Sequence, residues 1–395
     1  MSYHLSQRGI DSIILEQGRI AENWRSKRWD SFTLVTPNWM NQLPGFAYSG
    51  KHPDGFMPRD EVVRYVEAYA ASFHPAIRCG VRATSVYRKE NAYGIETTTM
   101  PPFEAKSVVI ATGGFQHPNY PPVMGEKPAE VRHLHSSDYR NAQELAPGNV
   151  LVVGSGQSGC QIAEELNHSG RQVYLAVSNC GRMPRRYRGH DITWWANKAG
   201  MYDMTRDQLP APQAKFACNP HVAAGRDINL RQLEKDGVVL LGRVQAIEEN
   251  NVTFAPNLTE SLNKADQFAA EIKRRIDRYV QMTGMQVPEA DDLEETKWEE
   301  WHERPLIRVL DMKMQGITNV IWATGYKLDY NWIQVPVFDE TGYPLHKRGV
   351  TSSPGLYFLG LNWLYTLKSA LLFGVGDDAA FLAEEIATRS FRKDG

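Results

Sequence analysis

An α/β fold, with parallel strands covered on both faces, is predicted by three observations. Four short apolar runs border on glycine: SVVIATG (107–113), NVLVVG (149–154), NVIWATG (319–325) and GLYFLG (355–360). Unbroken apolar strands are what a parallel sheet buried on both sides requires. Helical patterns lie between them, over 60–71 and 157–167, and alternation of strand and helix marks the α/β class. Finally, the run at 149–154 leads into GSGQSG (154–159), a glycine spacing that belongs between a strand and a helix.

Taken in order, the chain starts MSYHLSQRGIDSIILEQG. Residues 1–7 read as the later part of a helix without an N-cap, Gly9 suits a C-cap, and 12–15 form a short strand closed by Glu16. Residues 82–100 alternate and turn near Asn91, as in an antiparallel meander. Residues 115–147 are rich in proline and polar groups and read as a linker. The stretch 190–316 is the least regular, and within it 258–283 is a charged amphipathic helix whose charges read as a solvated face.

With 395 residues, two or three domains and a sizeable core are open to the chain. The formal net charge of -2 forces no basic face, so nucleic acid is not an expected partner. Cys79, Cys160, Cys180 and Cys218 are widely spaced without CxxC, which predicts free thiols in a reducing cytosol. No leader pattern and no apolar run long enough for a bilayer is visible, so the expectation is a soluble, cytoplasmic protein.

The glycine loop carries the most chemistry. Gly154 permits the tight turn, Gly156 lets backbone approach a pyrophosphate, and Gly159 lets helix and strand pack closely. Ser155, Gln157 and Ser158 fill the remaining positions, where the helix N-terminus offers N–H groups to an anion. A second strand follows at 172–177. Its end carries Ser178 and Asn179 in place of the acid an NAD ribose would want, with Arg182, Arg185 and Arg186 close behind. Arginine grips phosphate bidentately, so NADPH is favoured over NADH; the alternative is that these arginines solvate a loop.

Glu16 closes a strand where an acid would hold the ribose of a second dinucleotide. A GxGxxG is expected roughly 20 residues earlier, which runs off the start of the sequence. The expectation is therefore a helix that follows an absent glycine loop; the alternative is an ordinary surface acid.

These landmarks, together with NWRSKRWDSFTLVTPNW, the two Ala-Thr-Gly turns, PGLYFLG and GVGDDAAFLAEEI, resemble the flavin-containing monooxygenases with two dinucleotide folds, including bacterial members and the plant YUCCA-type enzymes. The likeness runs nearly end to end. It implies two Rossmann-like three-layer domains, one for FAD and one for NADPH. The FAD domain would be discontinuous (1–143 and 326–395) and lack its first strand; the NADPH domain would span 144–325 with 190–316 as an insertion. It implies that Glu16 contacts the FAD ribose, that Trp24 and Arg25 line the flavin, and that Asn38 lies near the isoalloxazine as a neutral hydrogen-bonding partner. Thr112 and Gly113, with Thr324 and Gly325, would mark the crossings between domains. Gly374 would open the helix facing the flavin, with Asp377 as its cap. The family fingerprint FxGxxxHxxx(Y/W) is met in its second half by His135 and Tyr139, while Ala129 and Val131 stand at the Phe and Gly positions. His135 is equally open to a purely structural reading.

The same resemblance implies electron transfer from NADPH to FAD, capture of dioxygen as a flavin C4a-hydroperoxide, and oxygenation of a small organic substrate. No metal cluster is expected. Two other readings stay open: an NADPH-dependent flavin reductase or oxidase without substrate oxygenation, and a non-enzymatic nucleotide-binding protein. Trp194, Trp195, Tyr202, Phe216 and the 362–365 stretch are candidates for a substrate pocket or, as aromatics usually are, for core. A homodimer is one assembly open to the chain.

Overall fold

The computed structural model describes residues 1–123, 128–209, 218–290 and 305–391. Phe216, a candidate pocket residue, lies outside them.

The apolar runs form the expected strands. Five parallel strands make one sheet in the order Arg132–His135, Ile317–Trp322, Asn149–Val153, Val173–Ala176, Val239–Leu241. Side chains alternate across a strand, and here both faces are buried. Val150, Val152, Val173, Leu175 and Ile321 pack with Ile162, Ala163 and Leu166 of the Gln157–His168 helix. Leu151, Val153, Tyr174, Val320 and Trp322 pack the other way, onto Val252, Phe254 and Leu310. Those last residues belong to an antiparallel sheet of Val244–Glu248, Asn251–Phe254 and Val309–Asp311. Helix, parallel sheet and antiparallel sheet thus form three layers.

Two parts of this unit differ from the sequence expectation. The 115–147 stretch is not all linker, because Arg132–His135 is the sheet's edge strand. Its run of Arg, His and Leu hides the strand in sequence, since an edge strand needs little apolar character. Likewise Val239–Leu241, inside the stretch read as an insertion, is the sheet's other edge. The charged helix occupies Leu258–Thr283, the expected span, and buries Leu262, Ala265, Ala269, Ile272 and Ile276 on one side.

The other unit is assembled from both ends of the chain. Ile13–Glu16 pairs in parallel with Ala76–Cys79, and Val108–Ile110 pairs in parallel with Leu356–Phe358. These pairs lie in separate sheets. The Val375–Phe391 helix seals the second pair by packing Ala379, Leu382, Ala383 and Ile386 against Leu356 and Phe358. The predicted meander is present as Ala83–Arg88, Tyr93–Thr97 and Phe103–Ala105, with Ile333–Gln334 added in parallel at its edge.

Candidate functional site

The glycine loop sits where the Asn149–Val153 strand turns into the Gln157–His168 helix. Gly154 has φ +107°, and a Cβ there would meet Ala323 O at 2.6 Å. A Cβ on Gly159 would lie 1.8 Å from Gly154 O. Only glycine fits these two positions. Gly156 is the N-cap residue, and no side chain caps the helix, whose first turn holds Gln157 and Ser158. An uncapped N-terminus behind a backbone that admits no side chains suits a pyrophosphate. Ser155 is fully buried. Its Oγ accepts the Ser178 N–H at 3.0 Å and donates to Ser178 O at 3.2 Å, which pins the loop to the end of the next strand.

The arginines behind that strand are not arranged as expected. Arg182 is 5% exposed and pairs through Nε with Asp266 at 3.2 Å. Arg185 is 2% exposed; its Nε and Nη2 reach Asp191 Oδ2 at 2.7 and 2.5 Å, its Nη1 donates to Val35 O at 2.7 Å, and its guanidinium lies 4.6 Å over the Phe56 ring. Both cations are therefore built into the protein, and the phosphate grip assigned to them is corrected. Arg186 is exposed and donates to Gly189 O at 2.8 Å across a hairpin.

The crossings between the two units are held by side chains that sequence reading passed over. Gln116 Nε2 donates to Thr112 Oγ1 and to Gly113 O, both at 2.9 Å. Asn119 Nδ2 donates to Thr324 O at 3.1 Å, and Asn119 N–H donates to Gly325 O at 2.9 Å. One short segment thus grips both Ala-Thr-Gly turns. His135, fully buried, joins the same knot through Nε2 and Gly325 O at 2.9 Å, with Nδ1 facing Ser137. Burial holds its pKa below the ordinary imidazole value. Tyr139, also buried, donates to Glu165 Oε1 at 2.6 Å, on the outer side of the Gln157–His168 helix. His135 fastens the joint, and Tyr139 ties its segment to that helix.

On the other side, Glu16 Oε1 accepts the Gly18 N–H at 2.8 Å and shapes the turn after its strand. Trp24 packs 5.7 Å from the Phe32 ring under Arg28. Arg25 donates to Ile20 O at 3.1 Å and pairs with Glu67. Asn38 is 4% exposed, and its Nδ2 donates to His52 O at 3.0 Å. Three residues on, Asn41 is fully buried and its Oδ1 has no donor among the described residues. A buried acceptor without a partner is costly unless a bound group supplies one. It lies where the resemblance puts the isoalloxazine, and so the wall fits a flavin. Gly374 precedes the Val375–Phe391 helix, and a Cβ there would meet Lys368 O at 2.2 Å. Asp377 does not sit at the cap, as expected of it. It stands inside the first turn and pairs with Lys368 Nζ at 2.9 Å.

With this geometry in view, the comparisons are specific. A CzcO-like oxidoreductase of Geobacillus kaustophilus is 34% identical over 391 residues, covering 98% of this chain and 94% of that one. The chain belongs to the CzcO-like oxidoreductases. Residues 1–190 match the model of the pyridine nucleotide-disulphide oxidoreductases. A probable indole-3-pyruvate monooxygenase of Arabidopsis thaliana, YUCCA1, is 30% identical over 190 residues, 47% of this chain and 46% of that one. Among solved structures, a flavin monooxygenase from Stenotrophomonas maltophilia superposes with a TM-score of 0.64 at 14% identity, covering 96% of this chain and 98% of that one. The fold is thus the two-dinucleotide flavoprotein fold. The CzcO-like chain is an oxidoreductase, and the flavin monooxygenases and pyridine nucleotide-disulphide oxidoreductases it resembles use FAD and NADPH. No helix among the described residues is long and apolar enough to cross a membrane.

The structure also corrects the cysteine reading of this CzcO-like protein. Cys180 and Cys218 form a disulfide, while Cys79 is free and exposed and Cys160 free and buried. Their separation of 38 residues matches no motif, so nothing in the sequence pairs them. Among the pocket candidates, Trp195 is fully buried and donates to Tyr187 O at 2.7 Å, which makes it core. Trp194 stacks on His190 at 3.8 Å. Tyr202 packs edge-on to Phe373 at 5.0 Å, and Tyr365 is exposed with the Arg348 guanidinium 4.4 Å over its ring.

Proposed function

We propose that this chain is an FAD-dependent, NADPH-consuming monooxygenase that inserts one atom of dioxygen into a small organic substrate. The observation that carries the reading is the pairing of two features: the side-chain-free turn at Gly154 and Gly159, and the single segment, Gln116 to Asn119, that locks both Ala-Thr-Gly crossings. Bound together, FAD and NADPH would supply electron transfer and oxygen activation, hard chemistry that belongs to the cofactors.

The protein's own part is positional. Gly154–Gly159 and the uncapped helix would hold the NADPH pyrophosphate. Glu16, Trp24 and Arg25 would border the FAD, with Asn38 and Asn41 beside its ring. Asn38 and Asn41 are neutral amides, so they offer hydrogen bonds without delivering a proton. Gln116, Asn119 and His135 fix the joint, and with it the distance between the two cradles. Fixed distance matters because group transfer between bound reactants depends on orientation to within about an ångström.

The test is stoichiometry. Purified protein should be yellow and should consume NADPH and dioxygen together. With a competent substrate, peroxide should fall well below the NADPH consumed. Peroxide equal to NADPH with every small nucleophile, ketone and 2-oxo acid offered would refute oxygenation in favour of an oxidase.

A further inference from the structure

We infer that the Cys180–Cys218 disulfide is a redox latch over the NADPH cradle, opened by attack of an external thiol on Cys218. This rests on the reading of Gly154–Gly159 as that cradle. The second glycine of such a loop exists to leave room for a pyrophosphate. Here that room is taken. A Cβ built on Gly156 would meet the Cys218 Sγ at 2.8 Å, and among the described residues no other atom outside its immediate chain neighbours comes within 4 Å. Among the described residues, that sulfur is what faces Gly156.

The sulfur is held there from both sides. Its partner, Cys180, is 5% exposed and lies two residues beyond Ser178, the residue stapled to Ser155 of the loop. Beyond the disulfide, His221 N–H donates to Gly181 O at 2.9 Å and Met183 N–H to His221 O at 3.1 Å. The two cysteine-bearing segments therefore run side by side, and the disulfide closes them at the cradle's edge. Cys218 itself is exposed, so its sulfur is the one an external thiolate can reach.

The chemistry balances with two thiols. A thiolate attacks Cys218 Sγ, the S–S bond breaks, and Cys180 leaves as a thiolate that takes up a proton. A second thiolate attacks the outer sulfur of the mixed disulfide, which releases the external disulfide and Cys218 as a thiolate. Two electrons pass from the external thiols to the pair. A peroxide reverses this: two cysteine thiols and one ROOH give the disulfide, ROH and water. Closure would halt NADPH entry when peroxide accumulates.

The experiment uses the whole chain in three forms: oxidised with diamide, reduced with dithiothreitol, and Cys218→Ala. Denatured oxidised protein should titrate two thiols and reduced protein four. NADP⁺ binding by calorimetry should be roughly tenfold or more tighter after reduction, and C218A should bind like the reduced form under both conditions. A structural disulfide would move the melting temperature but not this affinity. Equal NADP⁺ affinity in both redox states overturns the latch and leaves the cradle standing. No binding in either state overturns the cradle, and the latch with it. Four thiols after diamide also overturn it. If C218A does not fold, the two wild-type redox states alone decide.

Discussion

Replacing Arg185 with methionine separates two accounts of this residue. Methionine keeps an unbranched stem but removes the charge and every donor. Asp191 would then be left with its side chain only 16% exposed and no cation among the described residues. Removing one member of a buried pair costs about 3–5 kcal/mol. Asp191 keeps two local donors, Thr193 N at 2.8 Å and Thr193 Oγ1 at 2.6 Å, so the lower end applies, about 3 kcal/mol. The Val35 carbonyl also loses its donor at 2.7 Å, worth about 1 kcal/mol. At roughly 2–4 °C per kcal/mol for a domain near this size, thermal unfolding should drop by about 10 °C. Asp191→Asn should be milder, and the double variant should recover much of the loss, because two neutral groups leave no orphaned charge. The decisive control is ligand binding. Reduced R185M should bind NADP⁺ within about twofold of wild type, a spread of no more than about 0.4 kcal/mol. A melting temperature unchanged from wild type, with NADP⁺ affinity lost and NAD⁺ affinity kept, would refute the clamp and restore the phosphate grip.

Two further outcomes follow from the same loop. Gly159→Ala places a Cβ 1.8 Å from Gly154 O; backbone must shift, so stability should fall by about 3 kcal/mol or more, seen as loss of soluble protein or an early melt. His221 is fully buried, and burial first, then the nearby Arg182 charge, pushes its pKa from 6.5 down to about 4. The unfolded chain therefore binds a proton below pH 6.5 that the folded one refuses until about pH 4. Stability should be unaffected by this group above that window and fall through it by about 1.4 kcal/mol per pH unit, about 3 kcal/mol in all. His221→Gln should flatten that slope in pH-dependent denaturant titrations; a slope equal to wild type would exclude His221 as its source.

What the sequence disclosed was local sterics. The strands at 149–153 and 317–322 are legible because both faces are buried, so the runs 150–153 and 320–322 must be apolar. Gly154 and Gly159 are legible because a Cβ has nowhere to go, whatever the rest of the chain does. The Leu258–Thr283 helix is legible because its period of burial is its own. The joint was harder. Gln116 and Asn119 are polar residues in a proline-rich stretch, and what makes them important is where residues 112 and 324 happen to be. The disulfide was invisible for the same reason: its cysteines meet only because the 180–183 and 218–223 segments fold side by side.

The arginines show most clearly where pattern reading stops. A cation after the second strand points to a phosphate only if nothing in the protein claims it first. Arg185 is claimed by Asp191, six residues away but on the opposite arm of the hairpin formed by Arg186–Tyr187 and His190–Asp191. Arg182 is claimed by Asp266, 84 residues further on. With 46 acidic residues against 44 lysines and arginines, the chain holds a carboxylate for every side-chain cation of these two types. Once a guanidinium is buried, its desolvation must be offset by a fixed partner, and an internal carboxylate is always present whereas a cofactor phosphate comes and goes. Burial, rather than position after the strand, therefore decides which arginine remains for a phosphate. By that criterion Arg186, exposed and, among the described residues, with its side chain bonded only to the Gly189 carbonyl, is the member of the trio still able to meet one.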